Sequence, residues 1–261
     1  MKKAILIVSF GTTYPETRQK NIAAITRQVR ALYPDALVAE AVSSTIVRNA
    51  MKKREHIDAK SPEEGLLWLK EQGATHIVVF PTHVIDGIEN YRVKRVVEEY
   101  KTDFKQITVA DALLAKSCDY TNVAKALWES LKEKVGNAPL ILMGHGTEHT
   151  ADSSYAVMEQ ALQAYAQQPV YIATVEGKRT IADVIAQMQS EDIVNVRVVV
   201  APFMLVAGDH AHNDMAGMED SFASLLKENG YLPECILRGL GEYPAVREIY
   251  LSHLQKAAGT L

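Results

Sequence analysis

The residues of this sequence best suited to chemistry are two histidines and a glutamate that follow apolar runs. His145 comes shortly after the apolar residues 140–143 and sits between two glycines, while Glu176 and His210 follow two further apolar runs. In open α/β sheets, ligands bind just beyond the carboxyl ends of the parallel strands. The glycines leave little bulk, so a large flat partner can approach the imidazole of His145 closely. Two imidazoles and one carboxylate at three strand ends therefore predict a metal site that faces an open cleft.

The first half of the sequence resembles a degenerate copy of the second half, a pattern that indicates a duplicated unit. The aligned segments are 5–12 with 140–147, 78–81 with 199–202 (each followed by a glycine, at 87 and 208), and, more weakly, 41–43 with 174–176. These alignments pair Phe10 with His145, Ser43 with Glu176, and Glu89 with His210. We predict a duplicated fold in which only the second copy has kept the metal chemistry.

Apolar and amphipathic patterns alternate along the whole chain. Runs typical of buried strands lie near residues 4–9, 37–42, 76–80, 106–110, 138–143, 170–175, 195–203 and 234–238. Helical patterns lie near residues 15–32, 44–58, 61–72, 88–101, 120–134, 152–166, 179–189, 212–228 and 244–258. Helices between successive strands are typical of βαβ units in a parallel sheet covered on both faces. The predicted fold is α/β, with two four-stranded parallel sheets flanked by helices and a cleft between their carboxyl ends.

This architecture implies two domains. We place an N-terminal α/β domain at residues 1–120 and a C-terminal α/β domain, which carries the metal site, at residues 121–261. No low-complexity linker separates them, so the boundary is soft, and the last helix, 244–261, can pack back on the first domain. Ser61, followed by a proline and two glutamates, predicts a helix start closed by a capping box.

Composition argues against nucleic-acid binding and membrane spanning and favours a reducing compartment. A formal charge of −4 without a basic cluster argues against a nucleic-acid partner. Cys118 and Cys235 have no CxxC spacing and fit a reducing compartment, and no apolar run approaches the roughly 18 residues that span a membrane. Residues 4–10 imitate a signal peptide, but no small-residue cleavage site follows, so we interpret them as the first strand. We predict a cytoplasmic protein. The apolar helix faces are compatible with a homo-oligomer, because periodicity does not distinguish core from interface.

Several cofactor and catalytic motifs are missing from the sequence. It has no GxxxxGK[ST] phosphate loop, and the glycines of residues 239–244 do not form GxGxxG. It also has no GxSxG elbow and no HExxH pair. We therefore expect no nucleotide cofactor, and neither hydride transfer, kinase chemistry nor serine hydrolysis.

Each candidate residue also has a structural explanation. His145 could be a structural histidine or an oxyanion donor, and Glu176 could be a carboxylate at a helix N-terminus, where the helix dipole stabilises it. His210 lies in a polar segment that could be a solvated turn, in which His212 either orients it or faces water. His83 follows a strand of the first half and could either line the cleft or be structural.

Together the motifs resemble those of the anaerobic cobalt chelatases, the sirohydrochlorin cobaltochelatases of the early-cobalt route to vitamin B12, which are related to the ferrochelatases. The matching segments are residues 9–12, 143–146, 175–176, 204–210 and 239–242, and they span nearly the whole chain. The resemblance implies two Rossmann-like domains and a lyase that inserts Co²⁺ into sirohydrochlorin or its precorrin-2 form in anaerobic cobalamin biosynthesis. It also implies that His145, Glu176 and His210 are the metal ligands.

The donor set suits this chemistry. A chelatase must hold a divalent metal, remove its waters and pass it to four pyrrole nitrogens while two protons leave. Two histidines and a glutamate leave coordination positions open and suit Co²⁺, Ni²⁺, Fe²⁺ or Zn²⁺, each of which would be a substrate. An imidazole or a carboxylate can also accept a pyrrole proton. We expect His145 to be a ligand and the principal base, with Glu176 and His210 completing the catalytic site.

The first half supplies the expected contacts to the tetrapyrrole. Phe10 could stack on the macrocycle and Glu89 could relay protons. The substrate-binding candidates are Phe10, Gly11, Thr12, Glu89 and His83. The cations that could hold the carboxylates of the substrate are Lys178, Arg179 and Arg48, each of which could instead be a solvated charge on a helix.

Rival functions remain at this level. A hydrolase or lyase could use the same three residues to activate water. A non-catalytic carrier would bind metal without changing the spectrum of a tetrapyrrole, and a ferrochelatase-like enzyme would insert another divalent metal. The residues alone indicate a metal-dependent cleft enzyme; the resemblance favours a cobalt chelatase.

Overall fold

The computed structural model describes residues 2–259 and divides the chain into two compact units. The first unit runs to Ala115 and resumes at Arg247, and the second is Lys116–Val246. The boundary predicted at residue 120 falls inside a helix, Ser117–Val135, that belongs wholly to the second unit. Met1 and the last two residues of the predicted domain 121–261 and helix 244–261 lie outside the described residues.

The first unit contains four strands and the helices that follow them. The strands are β1 (Lys3–Ser9), β2 (Leu37–Val42), β3 (His76–Pro81) and β4 (Gln106–Val109). The helices are α1 (Pro15–Lys20), α2 (Ile22–Leu32), α3 (Thr45–Glu55), α4 (Pro62–Glu71) and α5 (Ile88–Glu99), with a 3₁₀ turn at Lys101–Asp103.

The second unit repeats this arrangement. Its strands are β5 (Leu140–Gly144), β6 (Val170–Thr174), β7 (Arg197–Pro202) and β8 (Leu232–Cys235). Its helices are α6 (Ser117–Val135), α7 (Ser153–Ala166), α8 (Ile181–Ser190) and α9 (Phe222–Glu228), with short 3₁₀ or π turns at Thr150–Asp152, Ala211–Met215 and Leu240–Glu242. The last helix, α10 (Pro244–Ala258), crosses the division, and from Arg247 it belongs to the first unit. There the hydroxyl of Tyr250 donates to the carbonyl of Thr82 over 3.0 Å.

Both sheets are parallel and have the same strand order, β2-β1-β3-β4 and β6-β5-β7-β8. The prediction of two four-stranded parallel sheets flanked by helices is confirmed. The central strands are buried along nearly their whole length, since helices cover both faces of each sheet. Apolar side chains from the strands and the covering helices form a separate core in each unit.

The hydrogen bonds beyond the strand ends also repeat, which supports the predicted duplication. Thr82 N donates to Val8 O over 2.8 Å in the first unit. Phe203 N donates to Met143 O over 2.7 Å in the second unit. These bonds make Val8 the counterpart of Met143 and therefore keep Phe10 aligned with His145.

One pairing in the predicted duplication is wrong by one residue. Ser43 N donates to Ser9 O over 2.8 Å, and in the second unit Val175 N donates to the last residue of β5 over 3.1 Å. Ser43 is therefore the counterpart of Val175, and Ser44 is the counterpart of Glu176. The short, weak alignment of these segments could not set the strand register.

Two predicted helices are each divided. Residues 15–32 form α1 and α2, with Asn21 between them. Residues 212–228 form the π turn and then α9, because Ser221 caps a new helix by accepting from Ser224 N over 3.0 Å. The capping box predicted at Ser61 is present, with Glu64 as its partner.

Candidate metal centre

The second unit brings His145, Glu176 and His210 together. Each offers one ligand atom, and these three atoms lie within 4.8 Å of one another. His145 is the first residue after β5, Glu176 is the second residue after β6, and His210 follows β7 in the loop before the π turn. Because β5 lies between β6 and β7, the three chain segments leave neighbouring strands at the same edge of the sheet. The sequence thus identified all three members of this cluster.

The ring of His145 is held through its Nδ1 atom. Nδ1 lies 3.0 Å from the carbonyl oxygen of Gly146 and 3.8 Å from Oε2 of Glu176. A carbonyl only accepts hydrogen bonds, so Nδ1 carries the proton in the neutral ring. The lone pair on Nε2 is then available for a metal ion.

The ring of His210 is oriented by a carboxylate. Its Nδ1 lies 2.6 Å from Oδ2 of Asp214, four residues further along the π turn. The rings of His210 and His145 meet edge to face, with centroids 4.8 Å apart and planes at 89°. Asp214, four residues from His210, thus contacts the ring directly, and it was not among the predicted site residues.

The loops that carry His145 and Glu176 touch through their backbones. Glu176 N donates to His145 O over 2.8 Å. Gly146 has a φ of +84°, and a methyl group at this position would lie 2.7 Å from Gly177 Cα and 2.9 Å from the carbonyl carbon of Glu176. Only glycine fits this conformation and this approach without strain. The contact fixes the spacing between two of the three donors.

A carboxylate joins the same two loops. Oδ1 of Asp152 accepts from Thr147 N over 3.1 Å, and Oδ2 accepts from Lys178 N over 3.3 Å. Below them, the buried hydroxyl of Tyr155 accepts from Gly146 N over 3.2 Å. Burial raises the pKa of Tyr155 to about 12, so its hydroxyl stays neutral. These contacts make the donor loops part of the rigid unit rather than free loops.

Two of the three cationic residues predicted to bind the substrate carboxylates form contacts within the fold instead. Arg179 contacts Glu159 at 2.6 Å and Gln187 at 2.6 Å, and Arg48 donates to the carbonyls of residues 42 and 43. These contacts assign structural roles to both arginines, which their positions near strand ends did not reveal. The side chain of Lys178 is exposed.

The substrate-binding candidates lie in the first unit. Phe10 follows β1 and is 39% exposed. Gly11 has a φ of +96°, like its counterpart Gly146, and Thr12 is buried.

His83 and Glu89 lie in one neighbourhood of the first unit. Nε2 of His83 is 3.4 Å from Oγ of Ser43. Burial lowers the pKa of His83, while the negative charges of Glu89 and Asp86 and a hydrogen bond with Asn90 act in the opposite direction. Glu89 also forms an ion pair with Arg92.

Three donors on one sheet edge suit a metal ion that is held and then released. Glu176 is 60% exposed, and the two histidine side chains are about one-third exposed, so water or a second molecule can reach the cluster. Imidazole and carboxylate ligands suit Co²⁺, Ni²⁺, Fe²⁺ and Zn²⁺, and a set of three leaves coordination positions open.

Within the described residues, no helix combines the length and the apolar character needed to cross a membrane.

Comparison with known proteins agrees with this geometry. The sequence is 33% identical over 258 residues to the sirohydrochlorin cobaltochelatase of Salmonella typhimurium, covering 98% of this chain and 97% of the relative. It is 32% identical over 267 residues to the sirohydrochlorin cobaltochelatase CbiKC of Nitratidesulfovibrio vulgaris, covering 100% of this chain and 92% of that relative. The structure of SirB from Bacillus subtilis with Fe³⁺ has a similar fold, with a TM-score of 0.67, 20% identity, and coverage of 100% of this chain and 97% of that one.

The family model described as Cobalt chelatase (CbiK) matches residues 3–259, nearly the whole described chain. With two curated relatives above 30% identity over almost their full lengths, the assignment does not depend on the three donors alone. The chain is a metal chelatase and belongs to the cobalt chelatase family.

Proposed function

We propose that this protein inserts Co²⁺ into sirohydrochlorin and that His145, Glu176 and His210 hold the metal before its transfer. The names of the two curated relatives support the substrate and the metal. The observation that carries the proposal is the open cluster of three donors within 4.8 Å on one sheet edge. A site with four protein ligands would be closed and would retain its metal.

The arrangement of the histidines supports separate roles in metal binding and in proton transfer. Nδ1 of each imidazole faces an oxygen acceptor, so each ring presents Nε2 to the metal. Glu176 is the most exposed of the three, and its second carboxylate oxygen is a proton acceptor for a pyrrole N–H. As the metal leaves, the imidazole of His145 becomes free to take a proton. We assign metal binding to all three residues and principal base catalysis to His145.

The first unit supplies the proposed substrate contacts. The exposed ring of Phe10 offers a flat apolar surface suited to a macrocycle face. We assign substrate binding to Phe10, Gly11, Thr12, Glu89 and His83. Because burial lowers the pKa of His83, it would meet the substrate as a neutral imidazole near pH 7. A cytoplasmic location fits the two free cysteines, Cys118 and Cys235.

The test is an anaerobic absorbance assay with sirohydrochlorin and Co²⁺. Wild-type protein should accelerate the shift to the metallated spectrum, and His145→Ala should reduce the rate to that of buffer. The matched control is His149→Ala, because His149 is an exposed histidine on the same loop whose Nδ1 caps a turn by accepting from Ala151 N. The control should keep the wild-type rate.

The outcomes distinguish the rival functions. If wild-type protein and buffer metallated sirohydrochlorin at the same rate while the protein bound Co²⁺ stoichiometrically, a metal carrier would replace the chelatase. Faster insertion of Fe²⁺ or Ni²⁺ than of Co²⁺ under equal free-metal concentrations would reassign the metal. Equal loss in both histidine variants would refute the specific role of His145.

A further inference from the structure

We propose that Asp214 is a positioning residue that sets the ring orientation of His210 for metal capture. This inference rests on the proposed metal site, and it adds a residue that is not one of the three donors. The proposal depends on the contact between Oδ2 of Asp214 and Nδ1 of His210, which are 2.6 Å apart.

The contact specifies which ring nitrogen can bind a metal. A carboxylate accepts a hydrogen bond and keeps the proton on Nδ1 of the imidazole. Nε2 then carries the lone pair, and the negative charge behind the ring makes that lone pair a stronger donor. Without the carboxylate, the ring of His210 can rotate about its side-chain bonds and can carry its proton on either nitrogen. Fewer molecules then hold Nε2 toward the other two donors.

The two histidines differ in how their rings are held. The Nδ1 acceptor of His145 is the backbone carbonyl of Gly146, at 3.0 Å, which no side-chain substitution removes. The Nδ1 acceptor of His210 is a side chain that a single substitution changes. Asp214 is thus the position where the tautomer of a donor can be altered without altering the donor itself.

The local backbone supports the assignment. Ala211–Met215 forms a π turn, a rare conformation that is frequent at functional sites. Residues four apart on a helical turn are neighbours, which brings Asp214 beneath the ring of His210. Ala211 and Met215 from the same turn are buried in the core of the second unit, so the turn is anchored and the carboxylate has a fixed origin.

A purely structural role predicts a different outcome. The side chains of His210 and Asp214 are 32% and 43% exposed, and exposed ion pairs contribute little to folding stability. Replacing the carboxylate by an amide should therefore leave the thermal unfolding temperature nearly unchanged. Metal affinity should fall, because removing a carboxylate that orients a metal-binding histidine typically weakens binding by about 10- to 100-fold.

The experiment measures Co²⁺ binding without any tetrapyrrole. Wild-type protein, Asp214→Asn, Asp214→Glu and Glu219→Gln are titrated with Co²⁺ under anaerobic conditions, and the visible ligand-field absorption of the bound metal is recorded. Glu219 is an exposed carboxylate in the segment after the π turn, so its variant controls for the loss of one negative charge. We expect the Kd of Asp214→Asn to rise by about 10- to 100-fold, with a changed absorption spectrum. Glu219→Gln should retain the wild-type Kd, and Asp214→Glu should recover part of the affinity because it restores an acceptor.

Each result decides between the proposals. Wild-type affinity and spectrum in Asp214→Asn would overturn the role of Asp214 while leaving the metal site intact. Equal weakening in Asp214→Asn and Glu219→Gln would reduce the effect to net charge and would also overturn it. Failure of the wild-type protein to bind Co²⁺ would instead refute the metal site itself.

Discussion

Substitution of Gly146 by alanine should separate the loops that carry His145 and Glu176. The new methyl carbon would overlap the backbone N of Gly177 and lie 2.7 Å from its Cα, and ordinary contact begins at 3.4 Å, so the loops must move apart by more than about 0.7 Å. Nδ1 of His145 and Oε2 of Glu176 are now 3.8 Å apart. A shift of this size is comparable with the tolerance of a metal or catalytic site, about 0.5 Å.

The expected cost has two parts. Alanine at a positive φ costs about 1–3 kcal/mol, and forcing extra volume into a packed contact typically costs about 1–3 kcal/mol more. We therefore expect Gly146→Ala to lower the free energy of unfolding by about 2–6 kcal/mol. Because two donors are displaced, the Co²⁺ affinity should fall by about tenfold or more.

Gly136→Ala is the matched control. Gly136 also has a positive φ, +58°, but a methyl group there meets nothing within 4 Å. The control therefore carries the backbone strain without the collision. Denaturant unfolding measures the stability of both variants, and Co²⁺ titration measures their affinity. If Gly146→Ala lost no more stability than Gly136→Ala and kept the wild-type Kd, the contact between the loops would not set the donor spacing.

Two further predictions concern groups outside the metal centre. Burial lowers the pKa of His83 below its usual value of 6.5, so the unfolded chain binds a proton at a higher pH than the folded chain does. The stability that is present above pH 6.5 therefore declines as the pH falls from 6.5 through the folded pKa. His83→Gln should remove up to about 1.4 kcal/mol of this decline per pH unit. The free energy of unfolding of wild type and variant is measured at pH 7.5 and 5.5, and an equal loss of stability in both proteins would contradict the prediction. Glu159→Gln should destabilise the fold by about 2 kcal/mol, because Glu159 is buried and binds Arg179. The Kd of this variant for Co²⁺ should equal that of the wild type. A higher Kd would indicate that Arg179 contributes to the metal site.

Much of the fold is readable from the sequence because parallel strands buried on both faces form continuous apolar runs. The strand ends that carry His145, Glu176 and His210 were predicted from such runs, and topology alone brings strand ends together. The register between β1 and β2 was not readable, since it depends on backbone hydrogen bonds that leave no pattern in a three-residue match. Hence Ser43, rather than Ser44, was aligned with Glu176.

The supporting contacts of the site were less predictable than its donors. Asp214 was overlooked because His212 lies closer to His210 in sequence, whereas the turn brings the fourth residue beneath the ring. Arg179 was read as a surface cation because its partner Glu159 lies 20 residues away and is buried. Such pairings depend on how helices pack on the sheet, which amphipathic patterns indicate only coarsely.

The repeated hydrogen bonds at the ends of the two sheets have an evolutionary consequence. Phe10 and His145 occupy matching positions beyond the last paired residues of β1 and β5, and the bonds accepted by the two residues before each of them repeat in both units. A side chain at such a position can be exchanged without disturbing the ladder that holds the sheet. After a gene duplication, one copy could therefore gain or lose its metal donors by a few point mutations while both copies continued to fold. At these two positions the side chain serves the chemistry, while the backbone hydrogen bonds of the neighbouring residues serve the fold.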